Sequence, residues 1–165
     1  MPLSRSRTHH SSHPEREGDR TRPPVWVRSA HPMDAVALVP LCGQLGHASD
    51  ADQIAARLIA DAGNPDYANW VAVDADGVIF GYACGHLVRM ISTGVPTALL
   101  TALVTDGQAR GRGVGRSLIG AFDDWAESCG ANEAVYNSDG RGHGTHRSLD
   151  AYGFARDGQR FAKIY

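Results

Sequence analysis

The order of apolar patterns along the chain predicts an α/β fold, a sheet with helices packed against it. Three observations carry this. β-rich runs alternate with helical repeats, an Asp76-Gly77 pair joins two strands as a hairpin, and a nearly unbroken apolar run at residues 98–104 leads into the most regular helical repeat in the chain. At 165 residues, with 42% hydrophobic and 21% charged residues, the composition fits one globular domain.

Order is expected to begin at Val25-Trp26-Val27-Arg28, an alternating run that reads as a strand. After His31-Pro32 comes a helical stretch with Asp34 near its start and Val36, Leu38, Val39 and Leu41 as its apolar residues, which Pro40 should kink or break. A second helix runs from about Asp50, with Ile54, Leu58 and Ile59 at helical spacing, and stops at Gly63-Asn64-Pro65. Residues 70–74 and 78–88 are the two strands of the hairpin, and residues 98–104 form a strand buried on both faces. The next helix, about residues 113–128, repeats Val114, Leu118, Ala121, Phe122, Trp125 and Cys129 at intervals of three and four, with Gly130 as its stop. Residues 134–137 read as a strand, 143–151 as a short helix, and Phe154 and residues 161–165 as closing strands.

Residues 1–24 contain Ser, Arg, His and Pro with hardly an apolar side chain beyond Leu3. They cannot bury enough surface to offset their ordering entropy and are expected to be a disordered tail; His9, His10 and His13 form no defined metal site there. The tail carries five Arg against three acidic residues, which leaves 11 basic and 15 acidic residues for 25–165. An acidic body disfavours a nucleic-acid partner, because phosphate contacts from Lys and Arg dominate such binding. No run approaches the roughly 18 consecutive apolar residues of a membrane helix, and the polar N-terminus is unlike a signal peptide. Cys42, Cys84 and Cys129 are odd in number and scattered, so they suggest neither a disulfide framework nor a metal site but reduced thiols in a cytoplasm.

Between the buried strand and the amphipathic helix, the segment from Asp106 to Arg116 holds four glycines in nine residues, Gly107, Gly111, Gly113 and Gly115. Glycine removes the Cβ barrier to close approach, and a helix start adds unsatisfied N–H groups and a partial positive charge. Together they predict a phosphate or pyrophosphate site, its sign reinforced by Arg110, Arg112 and Arg116. A Walker loop is excluded because Arg110 and Arg116 stand where it needs Gly and Lys, and a dinucleotide fingerprint because it would need glycine in place of Arg116.

Arg110-Gly111-Arg112-Gly113-Val114-Gly115 resembles the Arg/Gln-x-x-Gly-x-Gly/Ala loop of the GNAT superfamily of acyl-CoA-dependent N-acetyltransferases. Leu103-Val104-Thr105-Asp106 is similar to the end of that family's pantetheine-binding strand, Tyr152-Gly153-Phe154 to its Gly-Phe strand start, and residues 25–34 to its opening strand, Arg, Asp and helix. The resemblance spans residues 25–165 and implies a single N-acetyltransferase domain, with a mixed, mostly antiparallel central sheet flanked by helices and a V-shaped split between the fourth and fifth strands. It further implies that acetyl-CoA is the cosubstrate, that no metal takes part, and that the acetyl group passes to a primary amine of a small molecule or peptide by direct attack through a tetrahedral intermediate. The amides of Arg110, Gly111, Arg112, Gly113, Val114 and Gly115 would face the pyrophosphate with Arg116 beside them. The backbone of Leu103 and Thr105 would pair with the pantetheine arm, and Leu103 or Val104 would offer an N–H to the oxyanion. Asn137 and Ser138 are candidate cofactor neighbours, and a homodimer fits the family pattern.

The resemblance also marks two departures. Many members place a carboxylate base on the fourth strand, where this chain reads Thr97-Ala98-Leu99-Leu100-Thr101. Many place an acidic tyrosine where this chain has Leu149, although a thiolate of ordinary pKa about 8.5 departs with modest help. His86, on the third strand, is the candidate base, since an imidazole titrates near neutrality. His143 and His146 are weaker candidates, Cys84 reads as core, and Tyr136 and Tyr152 as packing residues. Asp50, Asp52 and Asp66 lie where they could attract a cationic substrate but read first as caps and turn residues. The alternative function is a CoA-binding regulatory or interaction domain with little turnover. Deleting residues 1–22 should leave the melting temperature and CoA affinity unchanged; a large loss of either would make the tail part of the fold.

Overall fold

The computed structural model describes residues 24–89, 91–92, 94–109, 111–136 and 149–155. Strands β1 (Trp26–Ser29), β2 (Tyr67–Val73), β3 (Ile79–Arg89), β4 (Pro96–Thr105) and β5 (Glu133–Tyr136) form one sheet in that order. The first four pair antiparallel in turn, and β5 is parallel to β4 because the helix between them carries the chain back along the sheet. Helices α1 (Ala35–Gln44) and α2 (Ala51–Asp61) follow β1, and α3 (Val114–Ser128) follows β4.

Period-two alternation on the strands sorts the core into two layers. Leu38, Leu41, Ile54 and Leu58 of α1 and α2 pack on Val71, Val73 and Val104. On the opposite face, Val114, Leu118, Ile119 and Phe122 of α3 pack on Ala72, Ala83, Leu87, Leu100 and Leu103. The side chains of Tyr82, Cys84 and His86 alternate with the α3-facing residues of β3 and therefore lie on the α1–α2 face.

Two glycines decide how closely α3 can lie. A Cβ at Gly81 would sit 2.7 Å from Val114 Cγ1, and one at Gly85 would sit 2.7 Å from Trp125 Cζ3. Both are on the α3 side of β3, so the helix rests directly on bare backbone at each end of its contact. At its C-terminus α3 ends in a Schellman arrangement: Gly130, at φ 75°, donates its N–H to the Glu127 carbonyl, and the Ala131 N–H reaches the Ala126 carbonyl at 3.0 Å.

The opening Arg and Asp have a structural use. Arg28 grips Asp34 through both guanidinium nitrogens, at 2.7 and 2.8 Å, and Asp34 Oδ2 also accepts the His31 N–H at 2.7 Å. The Arg28 hydrogen bond, foremost, holds the Asp34 carboxyl below its usual range. This fixes the angle between β1 and the start of α1. In the hairpin turn, Asp74 Oδ1 accepts the N–H groups of both Asp76 and Val78, and Gly77 takes φ 79°.

Of the two effects expected of Pro40, the structure excludes a break: α1 runs through it to Gln44, with Pro40 on the exposed side. Ile59 is 61% exposed, so only Ile54 and Leu58 anchor α2. The tail, residues 143–148 and residues 161–165 lie outside the described residues. Among the described residues no helix is long and apolar enough to cross a membrane, and no group of three or more His, Cys, Asp and Glu side chains could hold a metal ion.

Gly85→Ala should cost about 1–3 kcal/mol in urea denaturation, because the rigid Trp125 indole, rather than a flexible chain end, has to move. An unchanged unfolding midpoint would show that α3 does not depend on this contact.

Candidate active site

The glycine-rich segment folds as a tight connection between β4 and α3. Asp106 Oδ1 accepts the Gln108 N–H at 2.8 Å, a 3-10 turn covers Gly107–Ala109, and the Arg112 N–H donates to the Ala109 carbonyl at 3.2 Å. Gly111 and Gly113 take φ 77° and 74°, the left-handed region that L side chains rarely adopt. Gly113 is the N-cap of α3 and has no side chain to cap it, and the first bond of the helix runs from the Ser117 N–H to the Gly113 carbonyl at 2.9 Å. The N–H groups of Val114, Gly115 and Arg116 precede that bond, so the first turn carries uncapped donors and the positive end of the helix dipole. Nothing lies within 4 Å of a Cβ placed on Gly113; the constraint there is dihedral, with open space beside the backbone.

Arg112 and Arg116 lie over aromatic rings. The Arg112 guanidinium stands 4.1 Å from the ring centre of Phe80, the extra residue of a bulge where β3 meets β2. Arg116 stands 5.8 Å from the ring centre of Tyr152. Arg110, Asn137, Ser138, His143 and His146 lie outside the described residues.

Among the described residues β4 and β5 pair from Thr97 opposite Glu133 to Leu100 opposite Tyr136. At that point β4 carries one residue more than β3: Gly85 faces Leu100, Cys84 faces Ala102, and Thr101 is the bulge. A bulge bends its strand and strengthens its twist, and here it follows the last pair that β4 makes with β5 among the described residues. The Cys84 carbonyl accepts the Thr101 hydroxyl at 3.1 Å across the bulge. Beyond it, the Asp106 N–H donates to the Phe80 carbonyl at 2.7 Å. Antiparallel alternation then turns the Val104 peptide groups towards β3 and those of Leu103 and Thr105 away from it, to the β5 side of the strand. Among the described residues this stretch of β4 has no strand on its outer side.

The α1–α2 face beside the gap is polar and partly open. Tyr82, Cys84 and His86 stand in a row along β3, opposite Val104, Ala102 and Leu99. The His86 imidazole stacks on the Tyr67 ring across the β2–β3 ladder, with ring centres 4.3 Å apart and planes within 8°. Burial raises the Cys84 thiol above its ordinary pKa, and burial foremost raises the Tyr82 phenol as well, so both hold their protons at neutral pH. The Tyr82 hydroxyl donates to Asn69 Oδ1 at 2.6 Å, and Asn69 Nδ2 donates to Asp61 Oδ2 at 2.9 Å.

Leu149 is 6% exposed and belongs to the cluster beneath α3, so its side chain faces core. Asp50 caps α2, accepting the Gln53 N–H at 2.8 Å, and Asp66 pairs with Arg89 at 2.9 Å. Sequence reasoning missed Thr101, Asn69 and Asp61. Asn69 and Asp61 are eight positions apart and meet only through the packing of α2 on β2, while the bulge becomes visible only once β3 and β4 are paired.

Comparison with known proteins gives a consistent result. The family model described as "Acetyltransferase (GNAT) family" matches residues 38–154. An aminoglycoside N(6')-acetyltransferase type 1 of Stenotrophomonas maltophilia is 31% identical over 128 residues, covering 74% of this chain and 82% of that protein. Glucosamine-6-phosphate N-acetyltransferase from Arabidopsis thaliana superposes with a TM-score of 0.72 at 15% identity, over 86% of this chain and 98% of that one. An aminoglycoside acetyltransferase from an uncultured soil metagenomic sample, solved in complex with sisomicin, superposes with a TM-score of 0.68 at 15% identity, over 86% of this chain and 95% of that one.

Gly113→Val should leave a folded protein that binds CoA about tenfold or more weakly, the loss of one hydrogen bond to a charged group, because a β-branched residue resists φ 74° and twists the first turn of α3. Unchanged CoA affinity by calorimetric titration in the folded variant would move the anion site elsewhere.

Proposed function

The chain belongs to the acetyltransferase (GNAT) family, and from that premise we propose that it moves the acetyl group of acetyl-CoA to a primary amine of a small molecule or peptide. The observation that carries this reading is the pairing of two features at one end of the sheet. A β4 edge that pairs with no strand among the described residues, with Leu103 and Thr105 turned outward, runs directly into a helix start without a side-chain cap. The first suits an extended amide-bearing arm that adds to a strand; the second suits a pyrophosphate.

On this reading the N–H groups of Gly113 to Arg116 hold the pyrophosphate, with the rest of the Arg110–Gly115 segment shaping the loop, and the peptide groups of Leu103 and Thr105 hold the pantetheine arm. Bound acetyl-CoA supplies an activated thioester carbonyl at the gap. Of the two N–H groups expected to stabilise negative charge on that carbonyl oxygen, Leu103 faces the gap and Val104 faces β3, so Leu103 takes the role. An alkyl ammonium of pKa about 10.4 is mostly protonated at neutral pH, and bringing it to the neutral amine costs roughly 4–5 kcal/mol without assistance. His86, on the α1–α2 face one pleat from Cys84, is assigned that proton, directly or through water. Aminoglycosides are the first acceptors to test, since the relative from Stenotrophomonas maltophilia is an aminoglycoside N(6')-acetyltransferase.

One observation favours the second reading, a CoA-binding regulatory domain with little turnover: Leu149 is turned into the core and brings no hydroxyl to the gap. Acetyl-CoA consumption against a panel of aminoglycosides, polyamines and peptide amines separates the two. The proposed function predicts turnover that depends on the amine; CoA binding without consumption for any amine would select the regulatory reading. With an acceptor in hand, His86→Gln should lower kcat/KM about a hundredfold or more while sparing CoA affinity. A wild-type rate in His86→Gln would eliminate His86 as the base.

A further inference from the structure

Phe80 is the extra residue of the bulge where β3 meets β2, and the bulge decides which way its ring points. In a regular strand neighbouring side chains take opposite faces. Here Ile79 packs in the α1–α2 layer, Phe80 packs against the α3 layer, Gly81 faces Val114 and Leu118 of α3, and Tyr82 returns to the α1–α2 layer. Two consecutive residues of β3 therefore face α3, and the ring of the first meets Arg112, two residues before the helix begins.

From Phe80 the connection between β4 and α3 closes on itself. The Phe80 carbonyl accepts the Asp106 N–H at 2.7 Å, the Asp106 carbonyl accepts the Ala109 N–H at 3.0 Å, and the Ala109 carbonyl accepts the Arg112 N–H at 3.2 Å. The Arg112 guanidinium then returns to the Phe80 ring, 4.1 Å from its centre. One residue thus holds the connection at both ends, by its carbonyl where β4 stops and by its ring just before α3 starts. Arg112 Nε is buried, so the side chain runs along the protein.

The connection needs such a hold. Gly111 and Gly113, on either side of Arg112, take φ 77° and 74°, and glycine loses more freedom than any other residue when its dihedrals are fixed. Gly113 is the N-cap of α3 and has no side chain to fix it. Donors on a mobile turn bind an anion weakly, because the ligand has to order the turn as it binds.

We propose that Phe80 is a positioning residue for the CoA pyrophosphate: by holding Arg112 it fixes the turn from Gly111 to Gly113, and with it the direction of the N–H groups of the first turn of α3, before the ligand arrives. Arg112 is then a strut and not a phosphate ligand. The inference rests on the acetyl-transfer reading, from which it takes CoA as the ligand.

Calorimetric titration with CoA tests this on wild type, Phe80→Leu, Phe80→Tyr, Arg112→Gln and the double variant of Phe80→Leu with Arg112→Gln, with amide exchange of the free proteins beside it. Phe80→Leu keeps an apolar side chain and removes the π face; it should weaken CoA binding about fivefold, the size of one cation–π contact, and Phe80→Tyr should bind as wild type does. Arg112→Gln should weaken binding by the same factor, and the double variant should be no worse than either single one, because the two side chains act through one contact. In the free protein the residue 112 amide, bonded to Ala109, should exchange faster in Phe80→Leu and in Arg112→Gln alike. A merely structural Phe80 would lower the melting temperature and leave CoA affinity intact, which would overturn the proposal, as would additive losses in the double variant. So would an Arg112→Gln protein that binds CoA weakly while its residue 112 amide exchanges as in wild type, since that makes Arg112 a phosphate ligand; this arm stands even if Phe80→Leu does not fold. A wild type that binds no CoA overturns the acetyl-transfer reading and this inference with it.

Discussion

β4 carries one residue more than β3 opposite the Cys84–Gly85 step, and the two strands stay paired on both sides of it. The extra residue, Thr101, bends and twists the strand just beyond the last pair that β4 makes with β5 among the described residues. Among the described residues no strand lies on the outer edge of β4 at Leu103 and Thr105, the Cys84 carbonyl accepts the Thr101 hydroxyl, and the bulge sets an exposed polar side chain at that step. An unpaired strand edge is ordinarily an aggregation hazard; on a short stretch beside a helix start it is a place for an extended ligand.

That arrangement works only if α3 begins where β4 ends and lies flat on the sheet. Gly81 and Gly85 permit the second condition by removing the side chains that would hold the helix off β3. Gly111 and Gly113 permit the first by taking left-handed dihedrals, so that the chain turns from strand to helix within a few residues and the helix starts with nothing capping it. Four glycines in two separate segments thus serve one end: a helix N-terminus held against an open strand edge.

The elements were legible because their signals are local. The Asp76-Gly77 turn, the three-and-four spacing of Val114, Leu118 and Phe122, and the glycines before α3 each declare themselves within a dozen residues. Spacing alone does not say that α1 runs on through Pro40, and Ile59, an apolar residue at helical spacing, still falls on the outer face of α2. Gly81 and Gly85 offered a signal that could have been used, since glycine inside a strand marks close approach of another element. The hydrogen-bonded line from Tyr82 through Asn69 to Asp61 joins residues from β3, β2 and α2, and no spacing rule in one sequence connects them.

The chemistry divides along the same lines. On the proposed reading backbone groups do most of the binding, which is why the loop can be recognised by its glycines, whereas proton handling falls to the His86 side chain on the α1–α2 face. The central claim is that the β4 edge beyond Thr101 and the first turn of α3 form one continuous cradle for CoA. Amide hydrogen exchange of the free and CoA-bound protein, read residue by residue, tests it most directly. The account predicts new protection at Leu103, Thr105 and the amides of Val114 to Arg116 together, with Val104 little changed because it already pairs with β3. CoA binding that leaves the Leu103 and Thr105 amides exchanging as before would contradict it.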